Sequence, residues 1–490
     1  MLTFNEARDL YFRFKIQRGK GKKKGFSDLQ RLYNYYMGEH DITKKPNRPN
    51  NRKTYRVSHN YPQYVATIST GYFMGAPVTY TTPDKDALEP ALDIIEDNDG
   101  QTVDYDNALD MSIYGKAYRL FYNDEDGNLN FKDVDPRFTI TLDDGRVKPK
   151  ITDAIRFSER LLKENVIEVT MTLYDERHSQ EYTFNYKSEY LSNTEADIAE
   201  TVVPSNNGEL EAHNITDDDD KPRVPIILIQ NNKFELGDYE SHLDLIDAYN
   251  EMESNDFEDS ADFTDAILKL VNLNETNPDD ITHLSEDKVM LLDADGDADW
   301  LIKKVDSQFK KDTKERIEAN IHKFTFVPNM NDKEFGGNLS GVAIKYKLLA
   351  LEQVRGQKER MFNKAATDQL AIIKGYLNRT NEGDFELKDV KLQFTPNLPP
   401  NFMEEAELVT KLRAAGLPDK FIFTYLSNVQ DVEHLIEMKE EQEEKSYEDE
   451  YANIDGESDG VGNGKKNDSD KDGSERKPPI PSDQDEGKEE

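Results

Sequence analysis

The chain of 490 residues carries 99 acidic against 62 basic side chains, a formal net charge of −37. That balance excludes a general nucleic-acid binder, which gains affinity by replacing phosphate counterions with Lys and Arg, so any contact with DNA must be local or weak. With 36% hydrophobic residues the chain can build a core and two or three domains, and with no cysteine it relies on neither disulfides nor thiolate metal sites, which fits cytoplasmic synthesis.

The N-terminal stretch MLTFNEARDLYFRFKIQRGKGKKKG lacks the apolar core of a signal peptide. No later stretch approaches the roughly 20 apolar residues of a membrane span, so the expectation is a protein neither secreted by that route nor membrane-embedded. Residues 1–25 end in a basic cluster, Arg18, Lys20, Lys22, Lys23 and Lys24, broken by Gly19 and Gly21, and read as a solvated linker. Ser27, three residues before Gln30, has capping-box spacing and predicts a helix start. After the polar linker TKKPNRPNNRKTY, Asn60 is an N-cap with Pro62 in the first turn, and this helix should end near Gly75. ALEPALDIIED and TVDYDNALDMSIYGKAY suggest two more helices, with Pro90 putting the start of the first in question.

From residue 116 to 230 the pattern changes to short alternating runs: AYRLFY, LNFKDV, RFTITL, VIEVTMTLY, EYTFNY and VPIILIQ. These predict strands, with an Asp-Gly turn in NDEDGN joining the first two and NNGELEAHNITDDDDKP as a polar loop. The region reads as an antiparallel β-rich domain inserted between helical parts. Helices return over 239–271, with an apolar stripe through Leu243, Ile246, Tyr249, Met252, Phe257, Phe263, Ile267 and Leu270 and an acidic opposite face. Residues 272–303 form a small subdomain with strand-like KVMLL and ADWLIKK, and a second charged helix covers 304–326.

The segment VPNMNDKEFGGNL, 327–339, is a glycine-rich loop ahead of a long helix capped by Ser340 and running to about Tyr376, with a bend expected at Gly356. A strand segment in FELKDVKLQFTP closes residues 340–400. Helices broken at Gly416 to Pro418 fill 401–445. Residues 446–490 read as a disordered acidic tail, too poor in apolar residues to offset its ordering entropy.

No catalytic or metal motif survives inspection, so neither enzyme activity, cofactor nor metal is expected. DSDKDG at 468–473 has the first half of a calcium-loop spacing, but its twelfth position is Pro479 rather than Glu. DADGDAD at 293–299 puts Gly296 at the fourth position instead of the sixth. The histidines form no metalloprotease pattern, neither KGKKKGF nor FGGNLSGVA ends as a phosphate-cradling loop must, and no nucleophile-elbow motif occurs. Helices with narrow apolar stripes and charged flanks suggest lateral packing in a homo-oligomer. An acidic structural or adhesive protein with a calcium-responsive tail is the alternative reading, and a carboxylate-dependent hydrolase a second rival.

Three stretches, NYPQYVATISTGYFMGAPVTY (60–80), FGGNLSGVAIKYKLLALEQ (335–353) and FTPNLPPNFMEEAELVTKLRAAG (394–416), resemble in content, order and spacing the portal proteins of tailed bacteriophages, in the branch typical of long-tailed phages of Gram-positive bacteria. The resemblance covers roughly residues 25 to 440 and leaves the basic cluster and the acidic tail outside it. It implies an α+β portal fold assembled as a ring of about twelve subunits, thirteen being the alternative, at one capsid vertex of the virion. The wing would be 26–238 with the 116–230 insertion, joined by the bent helix and strand segment of 340–400. The stem would be 239–271 and 304–326, the clip 272–303 and the crown 401–445.

The loop 327–339 would be the tunnel loop facing DNA, with Asn329, Asn331, Lys333, Glu334, Phe335, Gly336, Gly337 and Asn338, and with Lys345 and Lys347 on the helix behind it. Ordinary solvated lysines remain open for the last two. Asp293, Asp295, Asp297 and Trp300 in the clip would contact terminase or connector. The implied partners are double-stranded DNA in transit, the terminase large subunit, the major capsid and scaffolding proteins and a head-tail connector protein, with no membrane.

Overall fold

The computed structural model describes residues 1–49, 52–188, 202–264, 267–271, 297–301, 307–331, 341–382, 385–397 and 402–426, with isolated positions as far as 442. Two units emerge, Met1–Pro399 and Pro400–Glu490. Helix and sheet are mixed, as an α+β class requires.

The first residues are not a linker. Helix α1 (Phe4–Ile16) is closed by a reciprocal cap in which the Thr3 hydroxyl accepts the Glu6 N–H at 3.4 Å and the Glu6 carboxylate accepts the Thr3 N–H at 2.8 Å. Ala7, Tyr11, Phe12 and Phe14 are buried among aromatic side chains, with Tyr11 5.0 Å from Phe157 and Phe12 5.2 Å from Tyr186 between ring centroids. The basic cluster that follows is partly core: Lys24 is buried, its ammonium 2.6 Å from both the Glu235 carbonyl and the Glu240 carboxylate. Helix α2 (Phe26–Tyr36) does not use the Ser27–Gln30 box. Its cap is Gly25, the Asp28 carboxylate accepts the amides of Gly25 and Gly19, and Gln30 turns instead to Asn34 and Arg137.

Helix α3 (Tyr61–Met74) starts at Asn60 and ends at Gly75 as the sequence predicts. Helix α4 (Lys85–Asp97) begins five residues before Pro90, because Asp84 caps it through the Ala87 amide at 3.2 Å; the proline sits inside and forgoes one backbone bond. Helix α5 (Gly100–Tyr114) leads into β2 (Lys116–Asn123), which follows the short β1 (Thr79–Thr81) and pairs with β3 (Leu129–Val134) across a turn where Gly127 takes φ +87°.

The β-rich region is two antiparallel sheets. The smaller has the order β3-β2-β9, with β9 at Ile226–Gln230. The larger joins β4 (Thr139–Asp143), β5 (Ile151–Leu161), β6 (Val166–Tyr174), β7 (His178–Lys187) and β8 (Pro204–Ala212) in chain order. Strand β8 overturns part of the polar-loop expectation over NNGELEAHNITDDDDKP. An exposed edge strand buries neither face, so its sequence shows no apolar alternation, and it is held by pairing with β7.

Helix α1, α2 and the five-stranded sheet share one core. A second core packs α3, α4, α5 and the three-stranded sheet against a long helix, through Phe73, Met111, Phe121, Ile229, Phe362 and Ile373.

Helix α6 (Leu243–Thr264) ends before residue 271. Ile267 and Leu270 belong instead to β10 (Ile267–Val271), paired antiparallel with β11 (Asp297–Leu301); a short run rich in aliphatic and β-branched residues, broken only by Lys269, suits the ladder. The KVMLL run lies outside the described residues. Helix α7 (Ser307–Thr325) follows. Helices α8 (Gly341–Lys347) and α9 (Leu349–Thr380) are separated at Leu348, whose side chain is buried in the first core; Ser340 lies outside the described residues.

Gly356, the expected bend, lies within α9. A Cβ there meets nothing within 4 Å, so Gly356→Ala should raise stability by roughly 0.5–1 kcal/mol, read as a higher urea midpoint at unchanged slope. A lower midpoint would show that a side chain is not tolerated there. Strand β12 (Lys391–Gln393) pairs with β1 and closes the first unit. The second unit contains α10 (Phe402–Ala414) and α11 (Asp419–Phe423), separated where Gly416 takes φ +77° and Pro418 caps the next helix.

Candidate functional site

The glycine-rich loop is described up to Asn331 and again from Gly341; Lys333, Glu334, Phe335, Gly336, Gly337 and Asn338 lie outside the described residues. Both of its roots are built on stiff elements. On the entry side, α6 and α7 share an apolar seam of Ile246, Tyr249 and Ile321. Beside it Lys310 bridges Asp256 and Asp259 at 2.6 Å each, and Lys314 bridges Glu253 and Asp256 at 2.9 Å each. Burial would raise the Asp256 pKa, but the bonds from the two lysines outweigh it and hold the carboxyl below its usual range.

Helix α7 ends where Phe326 turns into the left-handed region at φ +62°, a conformation costing an L-residue on the order of 1–2 kcal/mol. What fixes the turn is the next residue, Val327, buried in the first core, with its carbonyl 3.0 Å from His322 Nδ1. A carbonyl only accepts, so Nδ1 carries the proton. The Tyr64 hydroxyl then donates to the Pro328 carbonyl at 2.8 Å and accepts the Met330 amide at 2.9 Å. Asn329 reaches Glu318 on α7 at 3.4 Å and takes the Asn331 amide at 3.0 Å. Four residues of chain, Val327 to Met330, are thereby tied to α3 and α7, and Asn331 is held to Asn329.

On the exit side Leu348 and Leu351 are buried in the same core as Val327. The Tyr72 hydroxyl donates to Glu352 at 2.8 Å, and Arg355 bridges Glu352 and Glu359 at 2.7 and 2.8 Å. The Arg355 bonds hold the Glu352 carboxyl below its usual range. Lys345 is exposed and Lys347 half-buried on α8. Tyr64 and Tyr72 are eight residues apart on α3, about 12 Å along its axis, so one helix holds the entry end of the loop and, through Glu352, the long helix α9 that follows it. Sequence reasoning passed over Tyr64, Tyr72 and His322; the recurrence of tyrosine in NYPQYVATISTGYF was the available signal.

Asp297 and Trp300 lie on β11, opposite Val271 and Leu268, whereas Asp293 and Asp295 lie outside the described residues. Among the described residues, no group of His, Asp or Glu stands where it could hold a metal ion. No helix among them is long and apolar enough to cross a membrane.

The family model described as phage portal protein, SPP1 Gp6-like, matches residues 20–451. The chain belongs to that portal family. The match takes in Lys20 to Lys24 of the basic cluster, which the resemblance read from the sequence had left outside, and it begins to enter the acidic tail. The portal protein of Bacillus phage SPP1 is 24% identical over 416 residues, 79% of this chain and 77% of that one. The portal protein of Clostridium phage phiCD119 is 23% identical over 428 residues, 83% of this chain and 90% of that one. A solved structure described as the neck of an empty GTA particle, computed with C6 symmetry, aligns at a TM-score of 0.44 and 12% identity over 74% of this chain and 89% of its own. In this portal chain the stretch 60–80, one of the three that carry the family likeness, contains the helix that ties down the entry end of the glycine-rich loop and the helix α9 beyond it.

Proposed function

We propose that this portal protein assembles as a homo-oligomeric ring of about twelve copies at one capsid vertex and forms the channel through which double-stranded DNA is packaged and ejected. In that reading 26–238 and 340–400 make the wing, 239–271 and 304–326 the stem, 272–303 the clip, 327–339 the tunnel loop and 401–445 the crown. The observation that carries it is the mounting of the loop. Its entry end is hydrogen-bonded to α3 beside a helix pair locked by ion pairs, the helix α9 that follows it is bonded to the same α3 through Glu352, and the span between carries Gly336 and Gly337. A segment that must yield as a stiff duplex slides past needs freedom at its tip and none at its roots.

The acidity fits a conduit, since tight phosphate binding would stall movement and a mostly negative wall disfavours it. Lys333, Lys345 and Lys347, repeated around the ring, would supply the few cations that guide the duplex. The terminase large subunit supplies ATP hydrolysis and docks, like the connector after it, at the clip around Asp293, Asp295, Asp297 and Trp300. Capsid and scaffolding proteins meet the ring during assembly in the host cytoplasm, and the ring becomes part of the virion.

Deleting Glu334 to Asn338 tests this reading. Rings should still form in negative-stain micrographs and native mass spectra, because every described anchor is kept, while packaging of DNA should fall at least tenfold, the loss expected when about 1.4 kcal/mol of barrier is added. Packaging at the normal rate would sink the account of the loop as a moving part.

A further inference from the structure

Charge in this chain is segregated. The first 83 residues carry 15 basic and 5 acidic side chains, whereas the remaining residues carry 47 basic and 94 acidic. No carboxylate occurs between Asp41 and Asp84. Within that interval Lys44, Lys45, Arg48, Arg52, Lys53 and Arg56 cluster in what the sequence alone reads as a polar linker.

The structure shows that residues 52–60 are not a loose linker but an extended strap laid along α6. The amides of Tyr55, Val57 and His59 donate to Glu258 at 3.1 Å, Ser254 at 2.9 Å and Asn250 at 2.8 Å. Alternate amides of an extended chain recur about every 6.7 Å, and helix positions four apart about every 6 Å, so strap and helix stay in register through three bonds. All three acceptors are buried, and Tyr55 stacks on Phe257 at 5.7 Å. Two cations, Lys45 and Arg48, turn inward to Glu258. Lys44, Arg52, Lys53 and Arg56 are exposed. Lys44 meets Asp41, Lys53 lies over the Tyr55 ring, and Arg56 tethers the preceding bend through the Lys45 carbonyl.

We infer that this strap is a second, stationary contact for the phosphate backbone of duplex DNA, separate from the glycine-rich loop. Held along α6, the strap keeps Arg52, Lys53 and Arg56 at the surface, and Arg56 ties to it the bend that carries Lys44, so four exposed cations gather in a stretch with no carboxylate between Asp41 and Asp84. Such a patch meets phosphates rather than base edges, so the contact is independent of sequence. It also reconciles a net charge of −37 with a DNA ligand, because the binding is confined to one patch. The inference deepens the channel reading and rests on it for the choice of a duplex among polyanions.

The test uses the full chain and two unrelated duplexes of about 30 base pairs, with fluorescence anisotropy followed from about 50 to 200 mM salt. The variant Lys44→Ser/Arg52→Ser/Lys53→Ser leaves every amide bond to α6 in place. Both duplexes should bind the natural chain alike. The variant should lower affinity at the low-salt end by roughly tenfold or more and reduce the salt slope by about 1 for each phosphate contact removed.

In the natural chain, duplex should protect Lys53 from acetylation, a readout independent of how the variant folds. Unchanged affinity and slope would overturn the inference, as would failure of the natural chain to bind either duplex. Equal protection by poly-glutamate would assign the strap to an acidic protein, and loss of oligomer with unchanged DNA affinity would assign it to contacts between copies. Absence of rings from the natural chain would count against the channel reading while leaving the strap measurement standing.

Discussion

Replacing Lys358 with methionine is expected to destabilise the chain by about 3–5 kcal/mol, because it leaves a carboxylate buried without its counter-charge. Lys358 rises from α9 with its side chain 1% exposed, and its ammonium lies 2.6 Å from Asp238 and 2.6 Å from the Ser112 hydroxyl at the end of α5. The other Asp238 oxygen accepts from Asn231 at 2.9 Å, and the Asp238 amide donates to the Ser112 carbonyl at 2.8 Å. Two residues on, Glu240 takes Lys24 at 2.6 Å and the Gly21 amide at 3.1 Å. The approach to α6 is thus fixed from three directions by groups that cannot reach water.

Methionine fills the aliphatic volume but pairs with nothing, so urea unfolding should show the full loss of a broken buried pair. Lys358→Met with Asp238→Asn should recover part of it, since neither partner is then left charged. A loss below about 1 kcal/mol for the single variant would show that the cluster is solvated. The portal reading gives this a further consequence: a loosened start of α6 moves the root of the stem, so ring yield should fall along with stability.

Where the sequence was legible, the periodic signal came with a local boundary. Helix α3 carried Asn60 and Pro62 at its start and Gly75 at its end, and β6 carried strict alternation from Ile167 to Leu173, so both were readable from the sequence. Helix α1 had Phe4, Ala7, Tyr11 and Phe14 at helical spacing, but the lysine cluster behind it drew the reading towards a solvated segment. Nothing in a sequence says that Lys24 will find Glu240 across more than two hundred residues. The strap failed to show for the same reason. TKKPNRPNNRKTY has no period, and its order comes from Asn250, Ser254 and Glu258, which look like ordinary polar positions on a helix until the partner is known. The loop was found through its glycines, while its anchors are tyrosines and a histidine contributed by other elements.

Arg119→Met should be comparably damaging, and its pH dependence identifies why. Arg119 points from the centre of the three-stranded sheet into the second core, 2% exposed, with its guanidinium centre 5.4 Å from the Phe131 ring and 5.9 Å from the Phe362 ring. It donates to Asp104 at 2.6 Å, to Asn107 at 2.7 and 3.0 Å, and to Gln369 on α9. It is the charge that ties α5, β2 and α9 together. Burial already raises the Asp104 pKa, and the arginine is what restrains it.

Without Arg119 that carboxyl rises further above its unfolded value. The folded state then holds the proton over a wider range of pH, and stability falls as pH rises through that range. The deficit of the methionine variant against the natural chain, about 3–5 kcal/mol near neutrality, should therefore shrink between pH 8 and pH 5 as Asp104 becomes neutral. Arg119→Lys keeps the charge without the planar fork that reaches Asp104, Asn107 and Gln369 together, and should fall between the two. Equal deficits at both pH values would mean that Asp104 is not the group left unpaired, and that the loss comes from the emptied space between Phe131 and Phe362 instead.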